Sequence, residues 1–199
     1  MKLKSDIFAD GFLPSRFTVY DTSLSNLKII ERQQLGDSRG FFERLFCAEE
    51  LEVAGWRKPI AQINHTLTQK QGTVRGLHFQ RSPHSEMKLV TCLRGAVWDV
   101  VVDLRAGSST FLEWHANELT AVNRRSLLIP EGFAHGFQTL SDDCELLYFH
   151  SNIYMPGSEA GINPKDYRLS ITWPLAITEL SARDANLPML DCHLSGGSL

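Results

Sequence analysis

The segment Val97–Leu104 alternates, with Trp98, Val100, Val102 and Leu104 on one side and Asp99 and Asp103 on the other. That period of two describes a pleated strand rather than a helix. It does not stand alone. Lys88–Arg94, Phe111–Thr120, Ser126–Ile129, His135–Leu140 and Cys144–His150 are further short runs of strand character. Turn-forming residues separate them at Arg94-Gly95, Ala106-Gly107-Ser108-Ser109, Pro130-Glu131-Gly132 and Ser141-Asp142-Asp143. Many short strands at regular spacing predict an all-β sandwich or jelly-roll barrel with few short helices. Cys47–Gly55 is predicted as one such helix, stopped by Gly55, and the chain after Pro174 as an irregular or helical tail packed on the barrel.

At 199 residues the chain is long enough for one domain with a substantial core. A net charge of −3 gives no basic field for nucleic acid or an anionic membrane, and no partner of either kind is expected. No apolar run approaches the roughly 18 residues of a spanning helix, and Met1–Asp6 leads into no signal-peptide core. Cys47, Cys92, Cys144 and Cys192 form no Cys-x-x-Cys pair, and buried free thiols in a cytoplasmic protein are expected.

Ile129-Pro130-Glu131-Gly132-Phe133-Ala134-His135 resembles the second signature of the cupin β-barrels. In metal cupins that histidine joins a His-x-His pair upstream. Here the upstream match, Arg75-Gly76-Leu77-His78-Phe79-Gln80, has a glutamine in the second place. No three-histidine cage is evident, so no metal is expected, and a barrel histidine free of metal can serve as a general base. Arg39, Arg75 and Lys88 lie beside apolar or glycine residues in predicted sheet. Taken singly, each reads as a surface or salt-bridged cation. Together they would suit a diphosphate, which arginine binds bidentately and lysine as a point charge. Tyr148 shares a strand face with Cys144, Leu146 and His150, and either packs in the core or looks into a pocket. His65, His84, His115 and His150 carry no motif and are read as structural.

Eight segments in order resemble the dTDP-4-dehydrorhamnose 3,5-epimerase family. They include Asp37–Phe42, Gln62–Thr66, Val74–Gln80, Lys88–Val90, Asp99–Arg105, Ile129–Phe137, Glu145–Tyr148 and Gly161–Pro174. The resemblance implies a cupin jelly roll over residues 27–199, with residues 1–26 as an N-terminal extension or arm. It implies an isomerase that inverts carbon 3, carbon 5 or both of a nucleotide-linked 4-keto-6-deoxyhexose, without a cofactor. His78 would be the base, Asp166 its carboxylate partner, Tyr148 the acid on the opposite face, and Lys88 the cation beside the developing enolate. Arg75, and Arg39 across a dimer interface, would hold the diphosphate. Gln62 and Asn64 would contact the nucleotide, His135 the substrate, and Tyr154 and Phe42 the nucleobase. The resemblance also implies a homodimer, since the family pairs through sheet edges and edges need cover.

Four positions depart from the family pattern: Arg44 where a glutamate is usual (Glu43 lies one place early), Phe149 for a lysine, Ile153 for the first of two tyrosines, and Pro164 for a tryptophan. All four fall at the substrate end or rim, so a different nucleotide, sugar or choice of carbon is an open alternative. Single-carbon epimerisation, keto-sugar isomerisation, a metal cupin and a non-catalytic sugar-binding cupin remain as other readings.

Overall fold

The computed structural model describes residues 15–190. Fourteen strands and two short helices are found among them. The first six strands are β1 (Phe17–Asp21), β2 (Lys28–Arg32), β3 (Gln34–Asp37), β4 (Gly40–Glu43), β5 (Gln62–Thr68) and β6 (Thr73–Gln80). Then come β7 (Lys88–Arg94), β8 (Ala96–Asp103), β9 (Trp114–Thr120), β10 (Arg125–Ile129), β11 (Phe133–Thr139) and β12 (Cys144–His150). β13 (Glu159–Gly161) and β14 (Glu179–Leu180) are brief, as are helices α1 (Ala48–Glu52) and α2 (Ala182–Ala185).

Two six-stranded sheets face each other. One runs β1-β2-β10-β7-β12-β5. The other runs β13-β6-β11-β8-β9, with β14 added parallel to β6. A separate hairpin, β3-β4, stands apart from both. This is the jelly roll that the strand spacing predicts. β7 and β12 match their predicted bounds, and β8 and β10 fall within one residue. The expected strand from Phe111 begins only at Trp114, because residues 110–112 turn to pair Leu112 N–H with Asp103 O. The predicted helix is α1, and Gly55 follows it at φ +108°. β1, part of the expected arm, is an edge strand of the first sheet.

The alternation of β8 is buried on both faces. Val97 and Val101 join Leu127, Phe133, Phe137 and Leu146 between the sheets. Trp98, Val100, Val102 and Leu104 pack on the other side against Leu169, Ile171, Trp173 and Leu190. The chain after β13 therefore supplies a second core, since uncovered valines and a tryptophan would leave a large apolar face in water. Cys92 and Cys144 are buried free thiols as expected, whereas Cys47 is only half-buried beside α1. Cys192 lies outside the described residues.

Two glycines fix the spacing of β6 and β11. Gly76 has φ +122°, and a Cβ there would lie 2.6 Å from Gly136 Cα. A Cβ on Gly136 would lie 2.6 Å from Arg75 O. Both positions need a residue without a side chain. They sit next to His78 and His135, which are register partners across the two strands.

Candidate active site

The barrel opens into a cavity of about 1040 Å³. Its walls come from both sheets: Arg75, His78 and Gln80 from β6, His135 from β11, Lys88 from β7, Asn64 from β5, and Tyr148 and His150 from β12. Strand alternation explains the pairs His78/Gln80 and Tyr148/His150, because residues two apart share a face, while Arg75 reaches the cavity across a register shift between β6 and β11.

His78 Nε2 lies 2.8 Å from Asp184 Oδ1. The second carboxylate oxygen accepts from Gly76 N–H at 3.1 Å. Ser181 caps α2 and accepts from Asp184 N–H at 3.0 Å, which holds the aspartate over β6. Burial works against the Asp184 charge, but the Gly76 amide, His78 and Arg183 outweigh it and hold this carboxyl below the usual range. An ionised Asp184 takes the Nε2–H of a neutral imidazole, leaving Nδ1 with its lone pair. Burial is the main cause that lowers the His78 pKa; Asp184 opposes it, while Arg183 and Lys88 add to it.

The expected partner, Asp166, does not meet His78. It is 2% exposed and lies in the loop after β13. One oxygen accepts from Arg168 and Leu169 N–H at 2.8 and 3.0 Å, the other from Leu190 N–H at 2.6 Å. That carboxylate ties the covering segment together and has no part in the cavity. Asp184 is the residue that sequence reasoning missed. A signal was present: Ser181-x-x-Asp184 has the form of a capping box, which marks a helix start. Here the aspartate side chain is diverted from the cap to the histidine.

Tyr148 faces the cavity from the opposite sheet to His78. Burial, then the negative charge of Asp99, raises its pKa well above the ordinary phenol value, so it stays protonated. Its ring lies 6.1 Å from His135, edge-on, and 6.0 Å from His150, stacked. His135 Nε2 is held at 2.9 Å from both oxygens of Asp99, a fully buried carboxyl whose pKa burial raises against the pull of His135.

Lys88 is 7% exposed, with Nζ 3.3 Å from His78 O and 3.3 Å from Glu86 Oε1. Glu86 Oε2 also accepts from His150 Nδ1 at 2.9 Å. Burial would raise the Glu86 pKa, but His150 and Lys88 outweigh it and keep the carboxyl low. His150, expected to be structural, is thus a cavity residue, and Asn64 Nδ2 contacts its other nitrogen at 3.3 Å.

Gln80, in the place of the missing cupin histidine, works as a brace. It donates to His84 O and Ile153 O and accepts from Met155 N–H at 2.6 Å. Gln62 lies outside the cavity lining and accepts from Tyr154 N–H at 3.0 Å. Together they position Tyr154, whose hydroxyl donates to Glu159 at 2.7 Å. Arg75 is exposed into the cavity. Arg39 and Phe42 are not part of it: both are exposed on the β3-β4 hairpin, with Arg39 paired to Asp37.

Two of the four departures from the family pattern, Arg44 and Phe149, have side-chain partners in the structure. Glu43 pairs with buried Arg32 at 3.3 Å and Arg44 pairs with Glu50. Phe149 stacks on Phe46 in a third apolar cluster. Pro164 O accepts from Trp173 Nε1, and Ile153 is exposed. Among the described residues, no group of three His, Cys, Asp or Glu side chains is placed to hold a metal ion.

The family model described as dTDP-4-dehydrorhamnose 3,5-epimerase matches residues 21–191. The chain is 44% identical over 175 residues to the dTDP-4-dehydrorhamnose 3,5-epimerase of Salmonella typhimurium, covering 87% of this chain and 95% of that one. The Bacillus anthracis enzyme with TDP and PPi bound superposes with a TM-score of 0.85 at 38% identity, over 87% of this chain and 99% of that one. The Legionella pneumophila enzyme in complex with dTDP-4-keto-L-rhamnose gives 0.83 at 40% identity, over 87% and 92%. A jelly-roll cavity carrying a histidine–aspartate pair on one wall and a protonated tyrosine on the other accords with these matches, and the chain belongs to the dTDP-4-dehydrorhamnose 3,5-epimerase family.

Proposed function

We propose that this protein epimerises dTDP-4-keto-6-deoxy-D-glucose at carbons 3 and 5, with His78 as base, Asp184 as its partner and Tyr148 as acid. The observation that carries this reading is the placement of His78 and Tyr148 on opposing sheets of one cavity. Inversion beside a ketone needs a base on one face of the sugar and an acid on the other. His78 takes the proton as the C–H bond breaks, and its electron pair moves into an enolate on the ketone oxygen. Asp184 stabilises the imidazolium so formed. Lys88, behind the histidine, places positive charge where the enolate develops and so favours the transition state over the ground state. Tyr148 then gives its proton to the opposite face, and solvent resets both groups. The ketone itself acidifies the neighbouring C–H, so the reading calls on no cofactor.

Arg75 supplies a cation for the diphosphate within the cavity. Arg39 and Phe42, exposed on their hairpin, are assigned to the site of a second copy in a homodimer. Tyr154 is assigned to the nucleobase, where an aromatic face stacks regardless of sequence. The place of action is taken to be the cytoplasm; no helix among the described residues is long and apolar enough to cross a membrane.

Tyr148→Phe tests the division of labour. The variant keeps the ring and deletes the acid. Loss of inversion by about 10²–10⁴-fold is expected, with deuterium exchange from solvent still detectable at the carbon that His78 deprotonates. Wild-type inversion rates in the variant would remove Tyr148 from the role.

A further inference from the structure

The His78 imidazole has a second polar neighbour that none of the chemistry above uses. Arg183 Nη2 lies 2.8 Å from His78 Nε2 and 3.5 Å from Nδ1. Arginine can only donate. It therefore competes with Asp184 for the same ring nitrogen, one group asking for a lone pair and the other for a proton. The guanidinium is tethered at its other end, with Nη1 3.2 Å from Glu159, the carboxylate that also accepts from Tyr154. Its side chain is 57% exposed, so it is held by these contacts and not by packing.

We propose that Arg183 is a positioning residue that keeps His78 neutral and ready to accept a proton while the site is empty. This rests on the assignment of His78 as base. A cation within hydrogen-bond distance of the ring opposes a second proton there, whereas Asp184 alone would favour one. The balance between adjacent Arg183 and Asp184 on α2 thus sets the basicity of His78. Other charged groups face the ring. Lys88 on β7 adds positive charge from behind, His135 on β11 is compensated by Asp99, and Arg75 lies on the same strand. All of these stay in place when Arg183 is changed, so they form the constant background of the test.

The sign follows directly. Removing the Arg183 cation raises the His78 pKa, so the acidic limb of kcat/KM moves to higher pH. Because the guanidinium is partly in water, the shift is modest, about half to one pH unit. The primary experiment is an NMR titration of the His78 imidazole in wild type, Arg183→Gln and Arg183→Lys. It is paired with pH profiles of solvent exchange into dTDP-4-keto-6-deoxyglucose. The expected result is a raised midpoint and acidic limb in Arg183→Gln, with Arg183→Lys within half of that shift. A midpoint that stays or falls in Arg183→Gln would overturn the proposal, as would a rate loss equal at every pH. The titration needs no turnover. Absence of exchange in wild type would therefore count against the proposed reaction, while the midpoints would still decide the role of Arg183.

Discussion

His78→Ala is expected to lose epimerisation by about 10³-fold or more at both carbons, with binding of dTDP retained. The effect should be the largest of any single change, because neither of the other two cavity histidines can take over the proton. His135 is tied to both oxygens of a fully buried Asp99, and His150 is bound to Glu86. Neither presents a free imidazole at the position of His78. Binding should survive because Arg75 and the nucleobase end are untouched. Rates for exchange and product formation, with dTDP affinity by calorimetry, check both halves. Turnover within tenfold of wild type would show that the base lies elsewhere.

The second large effect separates two aspartates. Asp184→Asn should fold normally yet lose about 10²–10⁴-fold in rate, since an amide no longer fixes the imidazole tautomer or stabilises the imidazolium. Asp166→Ala should do the reverse. It strips three backbone N–H groups of their acceptor, two of them on buried residues, at a cost of about 2–4 kcal/mol. For a chain of this size that lowers Tm by about 5–15 °C. The rate per folded molecule should remain near wild type below the transition. Thermal melts and kinetics on the same two preparations give the answer. A severe rate loss in well-folded Asp166→Ala, with Asp184→Asn active, would reverse the assignment.

That confusion shows where the sequence is legible and where it is not. The central strands of the barrel announce themselves because short runs rich in valine, leucine and aromatic residues are separated by turns rich in glycine, serine and aspartate. His78, Lys88 and His135 were legible through the motifs they share with the family, whereas strand alternation spoke only for Tyr148 and left it between core and pocket. Asp184 obeys no such period. It sits in a four-residue helix beyond a largely irregular segment, over 100 residues from the histidine it touches. Its partner is chosen by how that segment folds back over β6, a tertiary outcome fixed by burial of Trp98, Val100 and Val102 beneath it. Asp166 lay in a segment that matched the family pattern and was the nearer carboxylate by motif. Its actual task, capping backbone amides, is the usual one for an aspartate in a tight loop. His150 was unreadable for another reason: its significance depends on Glu86 and Asn64, which come from other parts of the chain.

The departures follow the same division. Arg44 and Phe149 have side-chain partners, Pro164 only a backbone one, and none of the three touches His78, Asp184 or Tyr148 in these contacts. Phe149 and Pro164 are buried away from the cavity and not at its rim as expected, so these departures and the proton chemistry are carried by different side chains.

Proton NMR of the purified protein with dTDP-4-keto-6-deoxyglucose in deuterated water tests the central claim most directly. A base and an acid on opposite walls predict deuterium at carbons 3 and 5 together with inversion to dTDP-4-dehydro-L-rhamnose. Protons retained at both carbons, with substrate unchanged at high enzyme concentration, would contradict it.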